Sequence, residues 1–330
     1  MQTPVALFIF NRPDSTARVF ARIAEARPPE LFIVADGPRE GRAQEAEQCA
    51  QTRRVVEQVD WPCKVHTNLA PHNMGCTQRM ATGITWVFDQ VEEAILLEDD
   101  CLPDPTFFRF CEELLERYRR HPQVMQIAGF NIPVDRRTKA SSYYFSRFAT
   151  NWGWATWRRA WQHYDVEVKE WPALRETTWL LDIVKHPSIA DSWGRMLDLA
   201  HRHELGTWDH QWVFACWRQR GFSIQPTASM ITNIGFGEDA THTFYTCHDP
   251  RADVRAVPMQ FPLQHPAMFA ESSKADRIYK RQVILPSTSD QGLLTQLHKK
   301  WWMLKGTYPS LKSWKTFSRR LRDKLAPFSQ

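Results

Sequence analysis

The sequence predicts an α/β fold with a mostly parallel central sheet and helices on both faces. Continuous apolar runs at residues 5–10 and 31–35 are typical of strands buried on both faces. Helical stretches separate these runs from further strand candidates at residues 64–69 and 94–97. Alternating strands and helices form a parallel sheet, because each helix returns the chain to the edge where the next strand begins.

Each predicted helix has a start or stop signal beside it. Asp14 is a candidate cap for the first helix, and Pro28 and Pro29 end it. Further helices are predicted over residues 44–58 and 77–88. The apolar positions of the first helix share one face, namely Val19, Phe20, Ile23 and Ala24.

Composition limits the class of protein. With 330 residues, 43% of them hydrophobic and 24% charged, the chain can form either two domains of ~150 residues or one large α/β domain with a tail. The seven cysteines are scattered and form no C-x-x-C pair, which favours reduced thiols in a cytoplasmic protein. We expect no signal peptide, and no stretch approaches the ~20 apolar residues of a membrane span.

The positive charge is concentrated near the C-terminus. Residues 298–330 contain nine Lys and Arg residues and one acid, Asp323, among several aromatic residues. This basic tail suits an anionic membrane surface, and the alternative is a solvated helical extension that packs on the core. No nucleic-acid-binding module is recognised, so we expect no nucleic-acid partner.

Polar residues follow the predicted strands at the carboxyl edge of the sheet, where ligands bind in such folds. Asn11, Arg12 and Asp14 follow the first strand, Asp36 follows the second, and an acidic triplet follows the fourth. The sequence contains neither G-x-G-x-x-G nor G-x-x-x-x-G-K-[ST]. It therefore supports neither a dinucleotide site nor a P-loop.

The acidic triplet consists of Glu98, Asp99 and Asp100. Adjacent carboxylates repel one another, and a divalent cation removes that cost. Oxygen ligands favour Mg²⁺ or Mn²⁺, which commonly bind through one or two carboxylates plus substrate phosphates. Because side chains alternate along a strand, we expect at most two of the three acids to face one ligand. A solvated acidic strand end without an ion is the alternative.

The run LLEDDCLPDPTFFRF at residues 96–110 resembles the metal-binding strand end of GT-A type glycosyltransferases. In particular it resembles the inverting N-acetylglucosaminyltransferase I family and its bacterial relatives, some of which carry haemolysin-like labels. The order of elements is similar from residue 5 to about residue 243, which is most of the chain. The resemblance implies a GT-A (Rossmann-like) nucleotide-diphospho-sugar transferase fold with a basic C-terminal helical tail.

The resemblance implies roles for residues on the donor side. Asp100, with Asp99, would hold Mn²⁺ or Mg²⁺ beneath the diphosphate of a UDP-sugar. Asp99 would also lie near the sugar and the ribose, and Glu98 would support the donor site from behind. Asp36 would contact the uracil edge. The other matching donor-binding positions are Asn11, Arg12, Asp14, Asn73 and Arg79. The alternatives are that Asp14 only caps a helix, Asp36 only makes a turn and Arg79 lies on the surface.

Ten of the fifteen tryptophans lie between Trp152 and Trp217. Aromatic faces stack on the C–H faces of sugars, so this density suits a saccharide cleft, although most of the rings must form a core. In the resembled family a glycine-tryptophan loop lines the donor sugar and the acceptor. That loop matches Trp152, Gly153 and Trp154, and we expect Trp208 beside it.

The segment Trp208-Asp209-His210-Gln211-Trp212 resembles the W-D-D-W element whose acid is the family's catalytic base. Asp209 matches this acid best, whereas His210 replaces the second acid and Gln211 is an insertion. One carboxylate on the acceptor side suffices for inversion, because it takes the hydroxyl proton as that oxygen attacks the anomeric carbon.

A glycine-bearing polar stretch at residues 232–242 is expected to close over the donor, which would exclude water. Within it, His242 is a candidate ligand for the metal or a phosphate, because imidazole suits Mn²⁺ better than Mg²⁺. A purely structural role for His242 is the alternative.

These observations predict a metal-dependent inverting hexosyl- or N-acetylhexosaminyltransferase. It would move a sugar from a UDP-linked donor to a cell-surface glycan or lipid-linked acceptor at the cytoplasmic membrane face, in bacterial polysaccharide biosynthesis. We expect a donor-binding half at residues 1–130, an acceptor half of the same domain at 131–255 and an extension at 256–330.

Two other functions remain open. A nucleotidyltransferase that makes a nucleotide-sugar would share the sheet and the acids. It normally has a glycine-rich loop after the first strand, where this chain has Asn11-Arg12-Pro13-Asp14. A non-catalytic membrane- or partner-binding protein would use the basic tail.

Overall fold

An eight-stranded sheet organises the structure. The structure is a computed structural model that describes residues 1–132, 141–236 and 251–284. In chain order the strands of this sheet are β1 (Val5–Ile9), β2 (Glu30–Ala35), β3 (Lys64–Leu69), β4 (Glu93–Glu98), β6 (Val124–Ala128), β7 (Tyr143–Ser146), β8 (Trp154–Trp157) and β9 (Phe222–Pro226). Two short strands, β5 (Cys101–Pro103) and β10 (Ile231–Asn233), pair with each other in a separate antiparallel ribbon.

The strand order is β3-β2-β1-β4-β8-β6-β9-β7. The first four are parallel neighbours, in a register that sets Val5 opposite both Leu31 and Ile95. β8 lies antiparallel between β4 and β6, β9 is parallel to β6, and β7 is an antiparallel edge strand. Six of the eight strands therefore point the same way, and the predicted α/β fold with a mostly parallel sheet is confirmed.

The helices connect these strands or extend the second half of the chain. They are α1 (Pro13–Ala26), α2 (Ala43–Val56), α3 (Cys76–Phe88), α4 (Thr106–Tyr118), α5 (Arg158–Trp161), α6 (Trp171–Arg175), α7 (Trp179–Val184), α8 (Pro187–His201), α9 (Asp209–Arg218) and α10 (Ser273–Tyr279), followed by a π-helical segment at Lys280–Ile284. Because the strands are apolar on both faces and each helix has one apolar face, helices cover both faces of the sheet.

The prediction that Asp14 caps the first helix is wrong. α1 begins at Pro13, its N-cap residue is Arg12, and no side chain makes a cap hydrogen bond there. Proline suits this position because its missing N–H would have no helical partner and its φ is already helical. Asp14 lies in the first turn with an exposed side chain, where its charge is favourable at the positive end of the helix.

Two buried apolar clusters lie around the sheet. One includes the inner faces of α1 and α4, with Val19, Ile23 and Phe107. The other contains much of the tryptophan-rich segment, and its four packed indoles are Trp154, Trp161, Trp208 and Trp212. Trp212 also donates its indole N–H to Gln126 Oε1 at 2.6 Å, which satisfies two polar groups inside the core.

Residues 264–279 pack against the edge strand β7 and the residue before it. Ser142 N donates to Gln264 O at 2.7 Å, and Ser272 N donates to Phe145 O at 2.8 Å. Asp276 on α10 is buried and accepts a hydrogen bond from Ser146 Oγ at 2.6 Å. Residues Met1–Val283 thus form one unit. The predicted division at residues 130 and 255 stays a prediction.

Within the three described ranges, no helix has both the length and the apolar character needed to cross a bilayer. The basic tail lies outside the described residues, so its predicted role stays a prediction.

Candidate active site

Arg12 joins the end of β1 to the acidic triplet after β4. Its Nη1 donates to Asp99 Oδ1 at 3.1 Å and to Asp100 Oδ2 at 2.9 Å. Asp99 Oδ2 also accepts a hydrogen bond from Phe10 N at 3.1 Å. Since β1 and β4 are parallel neighbours, their carboxyl ends bring these groups together at the edge where ligands bind in α/β folds.

The alternation of side-chain direction that we expected along the triplet ends at Glu98. β4 ends at that residue, and Asp99 and Asp100 form a turn in which both side chains face Arg12. Because side chains do not alternate in direction along a turn as they do along a strand, the neighbouring Asp99 and Asp100 both reach the guanidinium of Arg12. Glu98, in contrast, lies on the strand beneath them.

The acids lie in surroundings that disfavour their charge. Burial raises the pKa of Asp99 to about 6, against the opposing effect of Arg12, and Asp100 adds to the rise. Burial raises the pKa of Glu98 well above its usual range, and repulsion from Asp100, Asp99 and Asp209 raises it further. More negative charge is therefore gathered here than Arg12 neutralises, and an additional cation would lower the free energy of the site.

Asp36 and Asn73 contact each other where β2 ends and α3 approaches. Asp36 Oδ2 accepts a hydrogen bond from Asn73 Nδ2 at 2.9 Å. Its Oδ1 accepts from Gly37 N at 2.8 Å and Met74 N at 2.9 Å. Asp36 is buried, so its carboxylate fixes the turn and also places the Asn73 segment beside the strand ends.

Arg79 is not a surface residue, because its side chain is buried on α3. It donates to the backbone and side-chain oxygens of Asn68, and burial lowers the pKa of its guanidinium. Its Nε has no hydrogen-bond partner among the described residues. A shallow depression beside it is lined by residues 68–74, Arg79 and Thr82. Asn11 lies partly exposed between β1 and α1.

Asp209 is the first residue of α9, and one of its two carboxylate oxygens is saturated. Oδ1 accepts hydrogen bonds from Thr207 Oγ1 at 2.7 Å, from His210 N at 3.0 Å and from His210 Nδ1 at 3.0 Å. Burial opposes ionisation of this acid. The charge of His210 and these hydrogen bonds outweigh it and hold the pKa of Asp209 below its usual range. The side chain is nevertheless 45% exposed, so solvent reaches the carboxylate.

The candidate base lies within electrostatic reach of the acidic triplet. Asp209 and Glu98 are close enough for their charges to interact, although they are far apart in sequence. Cys76, the first residue of α3, lies within electrostatic reach of both. Thr77 Oγ1 donates to Leu205 O at 3.3 Å and to Thr207 O at 3.1 Å. These bonds fasten the loop before Asp209 to the start of α3.

The loop after β10 covers one side of the triplet. Ile234 N donates to Asp100 O at 2.8 Å. Phe236 then packs edge-on against Trp152, with ring centroids 5.6 Å apart. Gly153 has φ +60, and a Cβ there would lie 2.4 Å from Ile231 Cδ1. Only glycine allows this close approach of the Trp152 segment to β10.

The two other predicted sugar-contacting tryptophans lie in the core. Trp154 is 1% exposed and Trp208 is 3% exposed, and their rings stack with centroids 5.7 Å apart. The structure therefore places both rings in the core, and Trp152 is the member of the predicted set whose ring is partly exposed.

Gly235 sets the position of Asp100. A Cβ on Gly235 would lie 2.2 Å from Asp100 Oδ2 and 2.9 Å from its Cβ and Cγ. We expect Gly235→Ala to displace the Asp100 carboxylate and to weaken UDP binding in Mn²⁺ about tenfold, ~1.4 kcal/mol, in isothermal titration calorimetry.

The matched control for that substitution is Gly194→Ala. A Cβ at Gly194 in α8 would meet its nearest neighbour at an ordinary 3.7 Å. We expect it to leave binding unchanged and to stabilise the helix by up to about 1 kcal/mol. Equal UDP affinity in the Gly235→Ala and parent proteins would contradict the proposed closeness of this loop to the ligand.

The chemistry of the acidic residues fits a divalent cation. Their carboxylate oxygens are hard donors, and their negative charge exceeds that of Arg12. Within the described ranges no group of three or more His, Cys, Asp or Glu side chains forms a complete chelating cluster. His242 lies outside the described residues.

Sequence reasoning missed Cys76, Tyr164 and Thr207. Tyr164 donates to Trp208 O at 3.3 Å and interacts electrostatically with Asp209 and Cys76. Burial and the neighbouring carboxylates raise the pKa of the Cys76 thiol, which keeps it protonated. Cys76 directly follows the predicted Asn73–Gly75 turn, and this position was the feature of the sequence that could have indicated its place near the site. Tyr164 carried no comparable motif.

A scan of protein-family models found no match, and a search of curated proteins found none. Among solved structures, a mannosyltransferase from Pyrobaculum calidifontis in complex with GDP-Man and Mn²⁺ is similar at TM-score 0.33 and 13% identity, covering 47% of this chain and 45% of that one. S. aureus TarS 1-349 is similar at TM-score 0.39 and 9% identity, covering 70% and 60%.

A UDP-glucose pyrophosphorylase complexed with UDP-glucose is similar at TM-score 0.26 and 11% identity, covering 46% of this chain and 65% of that chain. The chain thus spans less than two thirds of the length of each of the three structures. Likenesses this distant support no inference about activity, ligands or partners, so the function is argued from the site itself.

Proposed function

We propose that this protein is an inverting glycosyltransferase that transfers a sugar from a nucleotide-diphospho-sugar, UDP-linked, to a hydroxyl of a glycan or lipid-linked acceptor. The observation that carries the proposal is that Asp209, whose hydrogen bonds leave one carboxylate oxygen open, lies within electrostatic reach of the acidic triplet beside Arg12. A donor diphosphate needs positive charge, which Arg12 and a cation held by Asp99 and Asp100 would supply at the strand end. An acceptor hydroxyl needs a carboxylate to take its proton, which Asp209 would supply.

The donor side uses the ends of β1, β2 and β4. Arg12 is the cationic side chain at this edge, and Asp99 and Asp100 would hold Mg²⁺ or Mn²⁺ there. When bound, that ion would neutralise negative charge on the leaving diphosphate. The Asp36–Asn73 contact would hold the segment that borders the nucleobase, which fits the family resemblance of these positions.

The acceptor side uses Asp209. Its ionised carboxylate would accept the acceptor's hydroxyl proton as the oxygen attacks the anomeric carbon. The C–O bond to the diphosphate breaks as the new glycosidic bond forms, so the configuration inverts. Burial and the neighbouring carboxylates raise the pKa of the nearby Cys76 thiol, which disfavours a thiol-linked intermediate and supports direct displacement.

Several finer features belong to the same proposal. The transferred group would be a hexose or an N-acetylhexosamine, and the family would be that of N-acetylglucosaminyltransferase I and its bacterial relatives. The motif at residues 96–110 supports this membership. The basic tail at residues 298–330 supports action at the cytoplasmic face of an anionic membrane.

A thermal-unfolding screen tests the proposal with UDP-, GDP- and CMP-sugars, each with Mn²⁺ and with EDTA. We expect a UDP-sugar to raise the unfolding midpoint in Mn²⁺, since a ligand at 100 times its Kd stabilises the folded chain by about 2.7 kcal/mol. The same samples are assayed for UDP release with p-nitrophenyl glycosides as acceptors.

Two outcomes would reject the proposal. One is the absence of a shift with every nucleotide-sugar. The other is pyrophosphate formation from UTP and a sugar 1-phosphate without any glycoside product, which would identify a nucleotidyltransferase instead.

A further inference from the structure

The hydrogen bonds around Asp209 are unequal on its two oxygens. Thr207 Oγ1, His210 N and His210 Nδ1 all donate to Oδ1, at 2.7 to 3.0 Å. Among the described residues no hydrogen bond to Oδ2 is present. A carboxylate oxygen has two lone-pair sites, so three donors fill Oδ1 and leave Oδ2 as the oxygen open to a substrate proton.

His210 is itself held in place. Its ring packs against Trp193 of α8, with ring centroids 4.9 Å apart, and Trp193 packs on Trp217 at 4.6 Å. The His210 side chain is 26% exposed. The imidazole is therefore clamped between an aromatic pair and the carboxylate, and its Nδ1 is directed at Asp209.

Thr207, the other residue that donates to Oδ1, is also held by hydrogen bonds. Thr207 lies in the loop that Thr77 fastens to α3, and Gln211 Nε2 also donates to Thr207 O at 3.2 Å. The orientation of the Asp209 carboxylate thus depends on α3, which holds Thr207 through Thr77, and on α8, whose Trp193 packs against His210.

We propose that His210 is a positioning residue for the acceptor-side proton transfer: its Nδ1–H occupies Oδ1 of Asp209 and so presents Oδ2 to the acceptor hydroxyl. This inference rests on the proposed function. In the step it supports, the acceptor O–H bond breaks and its proton goes to Oδ2. The freed oxygen bonds to the anomeric carbon as the nucleoside diphosphate leaves.

Charged and titratable groups on other elements also face Asp209. Glu98 at the end of β4, Cys76 on α3 and Tyr164 after α5 lie within its electrostatic reach. Among the described residues, the hydrogen bonds to the Asp209 carboxylate come from Thr207 and His210 and from none of these three. Its orientation therefore depends on Thr207 and His210.

The test compares His210→Phe, which keeps a ring against Trp193 but removes the donor, with His210→Gln, whose amide can donate to Oδ1. With a UDP-sugar and a p-nitrophenyl glycoside, we expect His210→Phe to lower kcat about 10- to 100-fold with an unchanged donor KM. His210→Gln should recover part of that loss. The exposed His203→Asn is the matched control and should match the parent.

A spectroscopic measurement gives a second readout that does not depend on activity. In ¹H–¹⁵N spectra of the imidazoles, we expect the His210 signal to show an Nδ1-protonated ring in the parent and a change of tautomer or hydrogen-bond shift in Asp209→Ala, which removes the acceptor. Thermal unfolding of each variant verifies that it is folded.

The outcomes separate the two proposals. A parent protein that transfers no sugar rejects the proposed function. A parent that transfers sugar, together with a folded His210→Phe variant of unchanged kcat or with equal losses in His210→Phe and His210→Gln, rejects the positioning role of His210 while leaving the glycosyltransferase proposal standing.

Discussion

An Asp209→Asn variant is expected to bind UDP as the parent does but to transfer sugar 10²- to 10⁴-fold more slowly, the range that general-base catalysis contributes. Asparagine keeps the shape of the side chain and can still accept the hydrogen bonds from Thr207 and His210 through its amide oxygen. It places an NH₂ group where Oδ2 stood, and that group cannot take a proton from the acceptor.

The measurement pairs calorimetry of UDP binding with the initial rate of glycoside formation. Asp191→Asn is the matched control, because Asp191 is an exposed residue of α8 paired with Arg195. Full transfer activity in Asp209→Asn would remove this carboxylate as the base. Loss of UDP binding would place it on the donor side instead.

An Asp100→Ala variant is expected to lose UDP binding in Mn²⁺ by more than about 100-fold, ~2.7 kcal/mol. Cations of this kind bind through one or two protein carboxylates, so losing one of two leaves little protein coordination. Arg12 would keep Asp99 as a partner and would therefore stay at the site.

The unfolding midpoint of Asp100→Ala distinguishes a loss of metal-dependent binding from general damage to the fold. Glu98 and Asp99 repel the Asp100 carboxylate, so its removal relieves repulsion as well as breaking its contact with Arg12. We expect an unfolding midpoint in EDTA no lower than the parent's. The exposed Asp60→Ala is the control, and UDP affinity in Asp100→Ala equal to that of the control would refute the metal-side role.

The first half of the fold could be predicted because its signals are local. The apolar runs and helical spacing predicted β1 to β4 and α1 to α3 within a few residues of their observed bounds. The order of the remaining strands could not be predicted this way. β8 enters the sheet antiparallel between β4 and β6, and that choice depends on packing between distant segments.

The same distinction applies to the site. The triplet could be predicted because three acids follow an apolar strand. Asp36 and Asn73 could be predicted as turn residues, and in the structure they contact each other. Trp154 and Trp208 were assigned to the cleft because an indole has the same sequence signature in a core as in a sugar subsite. The closeness of Asp209 to Glu98 depends on tertiary structure, and only the family resemblance indicated it.

The covered edge of β7 affects how the chain can be shortened. Gln264 and Ser272 occupy backbone groups of that strand, and Asp276 satisfies Ser146 behind them. Ending a recombinant chain near residue 255 would uncover an unpaired strand edge next to buried aromatic rings, a known template for self-association. Insoluble protein is the expected yield of such a truncation, and a soluble core should extend at least through α10.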